Sequence, residues 1–224
     1  MEKILKMREN NFEVLPLYRF FASKERADQF ANGEVWISTL AECRKHEDFH
    51  QGDADEGSNT FHISSFESGI TEQESETKIL NRLRFNTNGA KILMKDCKSK
   101  ISIKNAFLLC TTKNKDIENL SDKWKYGVQI NTTPKKLNFL LNASLIFNNK
   151  VPVVSNLYGI TNYNISRDFS DINNPPPHSA FIKPQIHASQ EEYRFYWECP
   201  RNYEYKNGIL VKCESLKKYL KKLY

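Results

Sequence analysis

Apolar and polar residues alternate in many short segments of the chain, and only a few segments carry apolar residues at helical spacing. Alternation places successive side chains on opposite faces, which is typical of a strand with one buried face. Most of these segments are rich in β-branched and aromatic residues. The predicted strands are Val14–Phe21, Glu34–Thr39, Thr60–Ser65, Lys91–Met94, Ala106–Thr111, Trp124–Ile130, Val151–Tyr158, Gln190–Glu198 and Gly208–Cys213.

Helices are predicted where apolar residues recur at the helical period. The first has Ser23 as its N-terminal cap and Gly33 just beyond its end. Strands and helices do not alternate regularly and no linker divides the chain, so we expect one α+β domain over residues 1–224 with mostly antiparallel sheets. The predicted helices are Glu25–Ala31, Leu40–Asp48, a segment around Ile79–Leu83, Pro134–Leu145 and a basic amphipathic helix over Leu216–Leu223.

The predicted strand from Gln190 to Glu198 places charged residues inside an aromatic run. Alternation puts Gln190, Glu192 and Arg194 on one face and Tyr193 on the other. A half-exposed edge strand whose charges pair with a neighbour would explain this pattern. A functional face that needs its charges is the second explanation.

Arg19 stands alone as a charge in the apolar run Val14–Phe21. Burying an isolated charge is unfavourable, so Arg19 requires an anionic partner or ligand. Ser38 and Glu192 also occupy short predicted strands, which gives an arginine, a serine and a glutamate in that order along the chain.

This order resembles the arginine, serine and glutamate motifs of ADP-ribosyltransferases, whose last strand carries Gln-x-Glu or Glu-x-Glu. The resemblance implies a split pair of antiparallel β-sheets with flanking helices, and NAD as a substrate. It implies that Glu192 stabilises the oxocarbenium charge that develops on the ribose when nicotinamide leaves. Arg19 would bind the diphosphate, and Gln190 would position the acceptor.

The same resemblance assigns the remaining contacts with NAD and the acceptor. Tyr18 would stack on the nicotinamide, and Ser38 with Thr39 would line the cofactor site. Cys110-Thr111-Thr112 is a competing candidate for the serine motif. Residues implied to contact the acceptor are Arg44, Tyr193 and Arg194.

Most of the chain also resembles an uncharacterised bacterial family with a C-terminal Glu-x-Glu-Tyr-Arg strand (domain of unknown function 2971). The segments that resemble its middle motifs are 107–112 and 124–128. Proteins of this kind occur as toxins of phage-defence toxin-antitoxin systems, some with a chaperone. ADP-ribosylation of RNA or single-stranded DNA is the activity this implies. Gln190 departs from the family, where a glutamate is common at this position.

The net charge of +6 favours an anionic partner but does not choose among nucleic acid, nucleotides and an acidic protein. The five cysteines form no paired motif, as expected of reduced thiols in a cytoplasmic protein. The chain has neither an apolar leader nor an apolar run of membrane-spanning length, so we expect no membrane association.

Three other interpretations remain open from the sequence. In the first, a non-catalytic nucleic-acid- or protein-binding module contains a structural ion pair between Arg19 and Glu192. In the second, a nuclease uses the loosely clustered carboxylates from Asp53 to Glu56 to hold a metal. In the third, Cys43 and the nearby His46 and His50 bind zinc, but no paired cysteine or fourth ligand has familiar spacing, so we expect no metal.

Overall fold

The computed structural model describes residues 16–45, 53–68, 74–85, 90–116 and 123–224. These residues form a mixed α+β structure with mostly antiparallel sheets. The strands are β1 Leu17–Phe21, β2 Glu34–Thr39, β3 Ser58–Glu67, β4 Leu93–Ser102, β5 Phe107–Thr112, β6 Tyr126–Ile130, β7 Ser155–Ile160, β8 Asp168–Phe169, β9 Glu192–Glu198, β10 Gly208–Lys212 and β11 Leu220–Lys222. The helices are α1 Lys24–Ala31, α2 Leu40–Lys45, α3 Glu74–Leu83, α4 Pro134–Phe147 and α5 Glu214–Lys217.

The described strands form two sheets. The larger sheet has the order β10-β2-β5-β1-β6-β11, and β9 pairs with β5 and with β7. The smaller sheet has the order β4-β3-β8, in which the β3 and β8 pair is parallel. Every pair in the larger sheet is antiparallel.

The larger sheet divides at β5. One edge of β5 pairs with β9 along its whole length. The other edge pairs with β2 at its beginning, where Leu108 lies opposite Ser38, and with β1 at its end, where Thr112 lies opposite Tyr18. β1 and β2 therefore diverge on either side of Cys110, and this fork opens the space that holds the candidate site.

Helices α1 and α4 supply apolar side chains to the main core, which also contains the buried face of β9. The predicted cap of α1 is confirmed, since the Ser23 hydroxyl accepts a hydrogen bond from the Arg26 amide. Gly33 follows the helix with φ +84°, and a Cβ there would lie 2.6 Å from the Cys213 carbonyl oxygen, so glycine is needed for both reasons.

The prediction of a C-terminal amphipathic helix is wrong. One helical turn, α5, is followed by β11, in which Leu220 lies opposite Ile130 of β6. A strand here pairs the backbone edge of β6, which a helix would leave unpaired. Lys222 forms an ion pair with Asp28, so the lysines do not form one basic helical face.

Other predicted boundaries change in places that the local sequence explains. β4 runs on to Ser102 through a polar, largely exposed segment that offered little apolar pattern. β9 begins at Glu192, because Gln185–Gln190 forms a 3₁₀ turn and Glu191 has φ +41°. The predicted residues 14–15 of the first strand and 46–48 of the second helix lie outside the described residues.

Candidate functional site

A cavity of about 490 Å³ opens at the fork between β1 and β2. Its volume lies within the range usual for small-molecule sites. Several residues that the sequence singled out line the cavity, and they come from four separate strands and the turn before β9. These are Tyr18, Arg19, Ser38, Cys110, Gln190, Glu192 and Arg194.

Glu192 is a buried carboxylate held by two cations. Its Oε2 accepts hydrogen bonds from Arg194 Nη2 at 2.9 Å and from Lys183 Nζ at 3.5 Å. Burial alone would raise the pKa of Glu192, but the charges of Arg194 and Lys183 outweigh burial and lower that pKa to about 2. Glu192 is therefore ionised at neutral pH.

Arg194 is fully buried and links two acidic residues that are distant in sequence. Besides Glu192, it donates hydrogen bonds to the Glu56 carboxylate and to the Ala180 carbonyl oxygen. Burial opposes its charge, but the two carboxylates raise the pKa of Arg194 well above its ordinary value. Lys183, Glu192, Arg194 and Glu56 thus form a buried network of two cations and two anions.

Arg19 is not part of this ion network. Its Nη1 donates a hydrogen bond to the carbonyl oxygen of Cys110, across the fork. Burial lowers the pKa of Arg19, and the nearby Cys110, Cys43 and Glu192 partly oppose that shift. The postulated ion pair between Arg19 and Glu192 is wrong, because among the described residues Glu192 pairs with Arg194 and Lys183.

Ser38 and Cys110, the two candidates for the middle motif, line the same cavity. Cys43 also lines the cavity, and burial raises the pKa of its thiol to about 12. Burial and then the charge of Glu192 raise the pKa of Cys110 well above its ordinary value.

Gln190 reaches the cavity although it precedes the strand. Its Oε1 accepts a hydrogen bond from Lys183 Nζ at 2.8 Å, and its carbonyl oxygen accepts one from the Thr112 hydroxyl at 2.6 Å. Tyr18 lines the cavity with its ring nearly parallel to that of Phe20, at a centroid separation of 6.3 Å. Both residues therefore line the same cavity as Glu192.

Three predicted site residues lie outside the cavity. The Thr39 hydroxyl accepts a hydrogen bond from the Glu42 amide and caps α2. Arg44 donates to the backbone oxygens of Glu56 and Ile103, both at 2.7 Å, and so fixes a turn. Tyr193 packs in the main core, as strand alternation requires for a neighbour of Glu192.

Lys183 and Trp36 line the cavity and were not predicted as site residues. Glu56 also lines it, but the sequence suggested this residue only as one of the loosely clustered carboxylates of a nuclease. Lys183 follows Phe181 and Ile182 and precedes a proline. A lysine at the end of an apolar run is a sequence signal for a partly buried cation. Glu56 gave no such signal, because it lies in a polar loop where carboxylates are ordinarily solvated.

The carboxylates from Asp53 to Glu56 do not form a shared metal site among the described residues. Each pairs with a different cation: Asp53 with Arg167, Asp55 with Lys100 and Glu56 with Arg194. Cys43 is half-buried in the cavity wall. The other residues of the postulated zinc group, His46 and His50, lie outside the described residues.

The fold and the cavity define a mixed α+β protein with a charged pocket at the fork of an antiparallel sheet. In the described part of the chain, no helix is long and apolar enough to cross a membrane. Comparison of the chain with known protein families, with curated proteins and with solved structures found no match. The function must therefore be argued from the site itself.

Proposed function

We propose that the protein is an ADP-ribosyltransferase that uses NAD as its substrate and transfers ADP-ribose to RNA or single-stranded DNA. One observation carries the proposal: Arg19, Ser38 and Glu192, from three different strands, line a single cavity where the sheet divides. Their order and strand positions match the motif that the sequence suggests.

Glu192 is the proposed catalytic carboxylate. When the bond between ribose C1′ and nicotinamide breaks, its electron pair leaves with nicotinamide and positive charge develops on the ribose. A carboxylate that is already ionised and buried stabilises that charge more strongly than one in water. The acceptor then bonds to C1′ and releases its proton to solvent. Gln190, which accepts a hydrogen bond from Lys183, would orient the acceptor beside Glu192.

Arg19 is the proposed diphosphate contact. Its hydrogen bond goes to a neutral carbonyl, so no ion pair among the described residues neutralises its charge. The buried network of Lys183, Glu192, Arg194 and Glu56 carries no net formal charge, which leaves Arg19 as a positive centre in the cavity. A planar guanidinium suits two phosphate oxygens. Tyr18 and Ser38 would hold the nicotinamide and its ribose.

Nucleic acid is the acceptor we propose, and defence against phage the role. The net charge of +6 favours a polyanionic acceptor. The resemblance to toxins of toxin-antitoxin systems supports the role, and it suggests that an antitoxin, in some systems with a chaperone, restrains the activity in the cytoplasm.

Transfer of label from NAD to total RNA, single-stranded DNA and protein tests the proposal. We expect label in a nucleic-acid pool with the wild type and none with Glu192→Gln. Glu198→Gln is the matched control, because Glu198 lies on the same strand but is exposed and outside the cavity. Absence of both label and released nicotinamide with the wild type would refute the proposal.

Glu192→Gln removes one charge from a buried network, so its folding must be verified by circular dichroism. Ser38→Ala offers a second test that leaves the network intact, and we expect it to slow nicotinamide release without lowering stability. A folded Glu192→Gln protein with full activity, or an unaffected Ser38→Ala protein, would remove the respective residue from the site.

A binding module is the second candidate, and the ion pairs of Glu192 favour it. Two cations already neutralise this carboxylate, which is what a purely structural network requires. Thermal melting with and without NAD separates the two candidates. A transferase should be stabilised by NAD, and Arg19→Ala should abolish that stabilisation. A structural module should show no NAD-dependent shift in either protein.

A further inference from the structure

Trp36 is a large apolar side chain left exposed at the wall of the cavity. It belongs to β2, whose Val35 and Ile37 side chains are buried in the main core. Alternation turns Trp36 to the opposite face together with Ser38, and both residues line the cavity. Trp36 is 52% exposed, so an aromatic surface lies open at the cavity and is available to a flat ligand.

The neighbouring strand holds the Trp36 ring in place. A Cβ on Gly208 of β10 would lie 2.6 Å from Trp36 Cζ2 and 2.8 Å from the Ile37 carbonyl oxygen. Glycine at this position therefore allows the indole to lie close against the β10 backbone. One side of the ring is supported by Gly208, and much of the ring remains open.

The cavity lining also contains other aromatic and cationic groups. Trp124 and Phe20, both half-buried, and the exposed Arg26 belong to this lining. Arg19, also half-buried, lines the same cavity. A flat ring against Trp36 would thus have positive charge within the same cavity, which suits a ring that carries a phosphate.

We propose that Trp36, supported by Gly208, is a stacking platform for a nucleobase at the cavity. The ligand class is a nucleotide, either free or within a single strand. An indole face stacks on any base, and cationic groups nearby attract the attached phosphate. The residues that line the cavity support this nucleotide site without reference to the proposed activity. Its further role, to receive the adenine of NAD or the base of the acceptor, rests on the proposed transferase function.

Binding of AMP, measured by calorimetry, and binding of a fluorescein-labelled single-stranded oligonucleotide, measured by anisotropy, test the platform. Trp36→Ala should weaken binding of at least one of them by about 5- to 150-fold, the effect of losing one stacked base. Phe139→Ala is the matched control, because Phe139 is a 68% exposed aromatic residue of α4 outside the cavity. It should leave both affinities unchanged.

Two further variants separate stacking from simple apolar contact. Trp36→Phe keeps an aromatic face and should retain most of the affinity, whereas Trp36→Leu keeps only apolar area and should behave like Trp36→Ala. Equal affinities of the Phe and Leu variants would overturn the stacking role. Unchanged binding of both probes by Trp36→Ala, or failure of the wild type to bind either probe, would overturn the site itself.

The source of the base follows from which probe loses affinity. If Trp36→Ala weakens AMP and raises the KM for NAD, the platform receives the adenine of NAD. If it weakens only the oligonucleotide, the platform receives the acceptor base. Trp36-dependent binding by a wild type that does not cleave NAD would support the platform and refute the transferase. If the wild type cleaves NAD, and Trp36→Ala changes neither the binding of the probes nor the KM for NAD, the transferase would be supported and the platform refuted.

Discussion

Glu192 and Arg194 lie two residues apart on the same face of β9, and Arg194 Nη2 is 2.9 Å from Glu192 Oε2. Arg194 also contacts Glu56, so one guanidinium neutralises two buried carboxylates. This relationship ties the stability of the protein to the charge state of its candidate site.

Replacing Arg194 with methionine should strongly destabilise the protein. Glu56 and Glu192 would remain buried with one cation fewer, and breaking a buried ion pair in this way costs about 3 to 5 kcal/mol. The free energy of unfolding in urea gives the measurement. Arg201→Met, at an exposed arginine outside the network, should change it by less than about 0.5 kcal/mol. Equal stability of the two variants would contradict the network.

The stability of the protein should depend on Glu192 in acid. The folded-state pKa of Glu192 is lowered from 4.5 to about 2, so its ionised form stabilises the fold above the unfolded-state pKa. That stabilisation is lost as the pH falls from about 5 towards 2. The Glu192→Gln variant has no carboxylate at this position to protonate. The difference in the free energy of unfolding between the wild type and this variant should therefore become smaller as the pH falls through this range.

Urea unfolding of both proteins between pH 2.5 and 7 measures this difference, with the two titrations compared at each pH. Other carboxylates with lowered pKa values, such as Asp55, contribute equally to both proteins and cancel. A difference that stays constant through the acid range would show that Glu192 is not stabilised as an anion.

Local patterns of the sequence predicted the parts of the site that lie on single strands. Period-two alternation correctly placed Glu192 and Arg194 on one face and Tyr193 on the other. The lone charge of Arg19 marked a side chain that lines the cavity, but its hydrogen-bond partner is the neutral Cys110 carbonyl oxygen and not the expected anion. These features depend only on residues that are close in sequence, so they can be predicted without knowledge of the fold.

Contacts between distant segments could not be predicted in this way. Glu56 reaches Arg194 from 138 positions away, and nothing in its polar loop marks it as buried. The strand β11 is set by the open edge of β6, which local apolar spacing does not reveal. The role of Thr39 likewise depends on where β2 ends and α2 begins, a boundary that local patterns locate poorly.

Replacement of Arg44 should lower the stability of the protein and leave its affinity for NAD unchanged. Its guanidinium bonds to the carbonyl oxygens of Glu56, Ile103 and Lys104 and fixes the turn that carries Glu56. Arg44→Lys keeps the charge but cannot make this forked set of bonds, so it should lose about 1 to 3 kcal/mol. Thermal melting checks the loss. A large rise in the KM for the acceptor without a change in melting would restore the acceptor role.

The thiols of Cys43 and Cys110 should resist alkylation at pH 8. Burial raises the pKa of both, that of Cys43 to about 12, and only the thiolate reacts. Relative to an ordinary cysteine, the thiolate fraction of Cys43 falls about a thousandfold. Mass spectrometry of iodoacetamide-treated protein gives the rate at each cysteine, with urea-unfolded protein as the reference in which all should react.

The Cys110 rate also reports on Glu192. Burial raises the pKa of this thiol most, and the negative charge of the Glu192 carboxylate raises it further. Glu192→Gln removes that charge while Arg194 remains, so Cys110 should be alkylated faster in the variant than in the wild type. Glu198→Gln, on the same strand but exposed, should leave the rate unchanged. Equal Cys110 rates in the wild type and Glu192→Gln, with both folded, would show that Glu192 does not control the charge of the cavity.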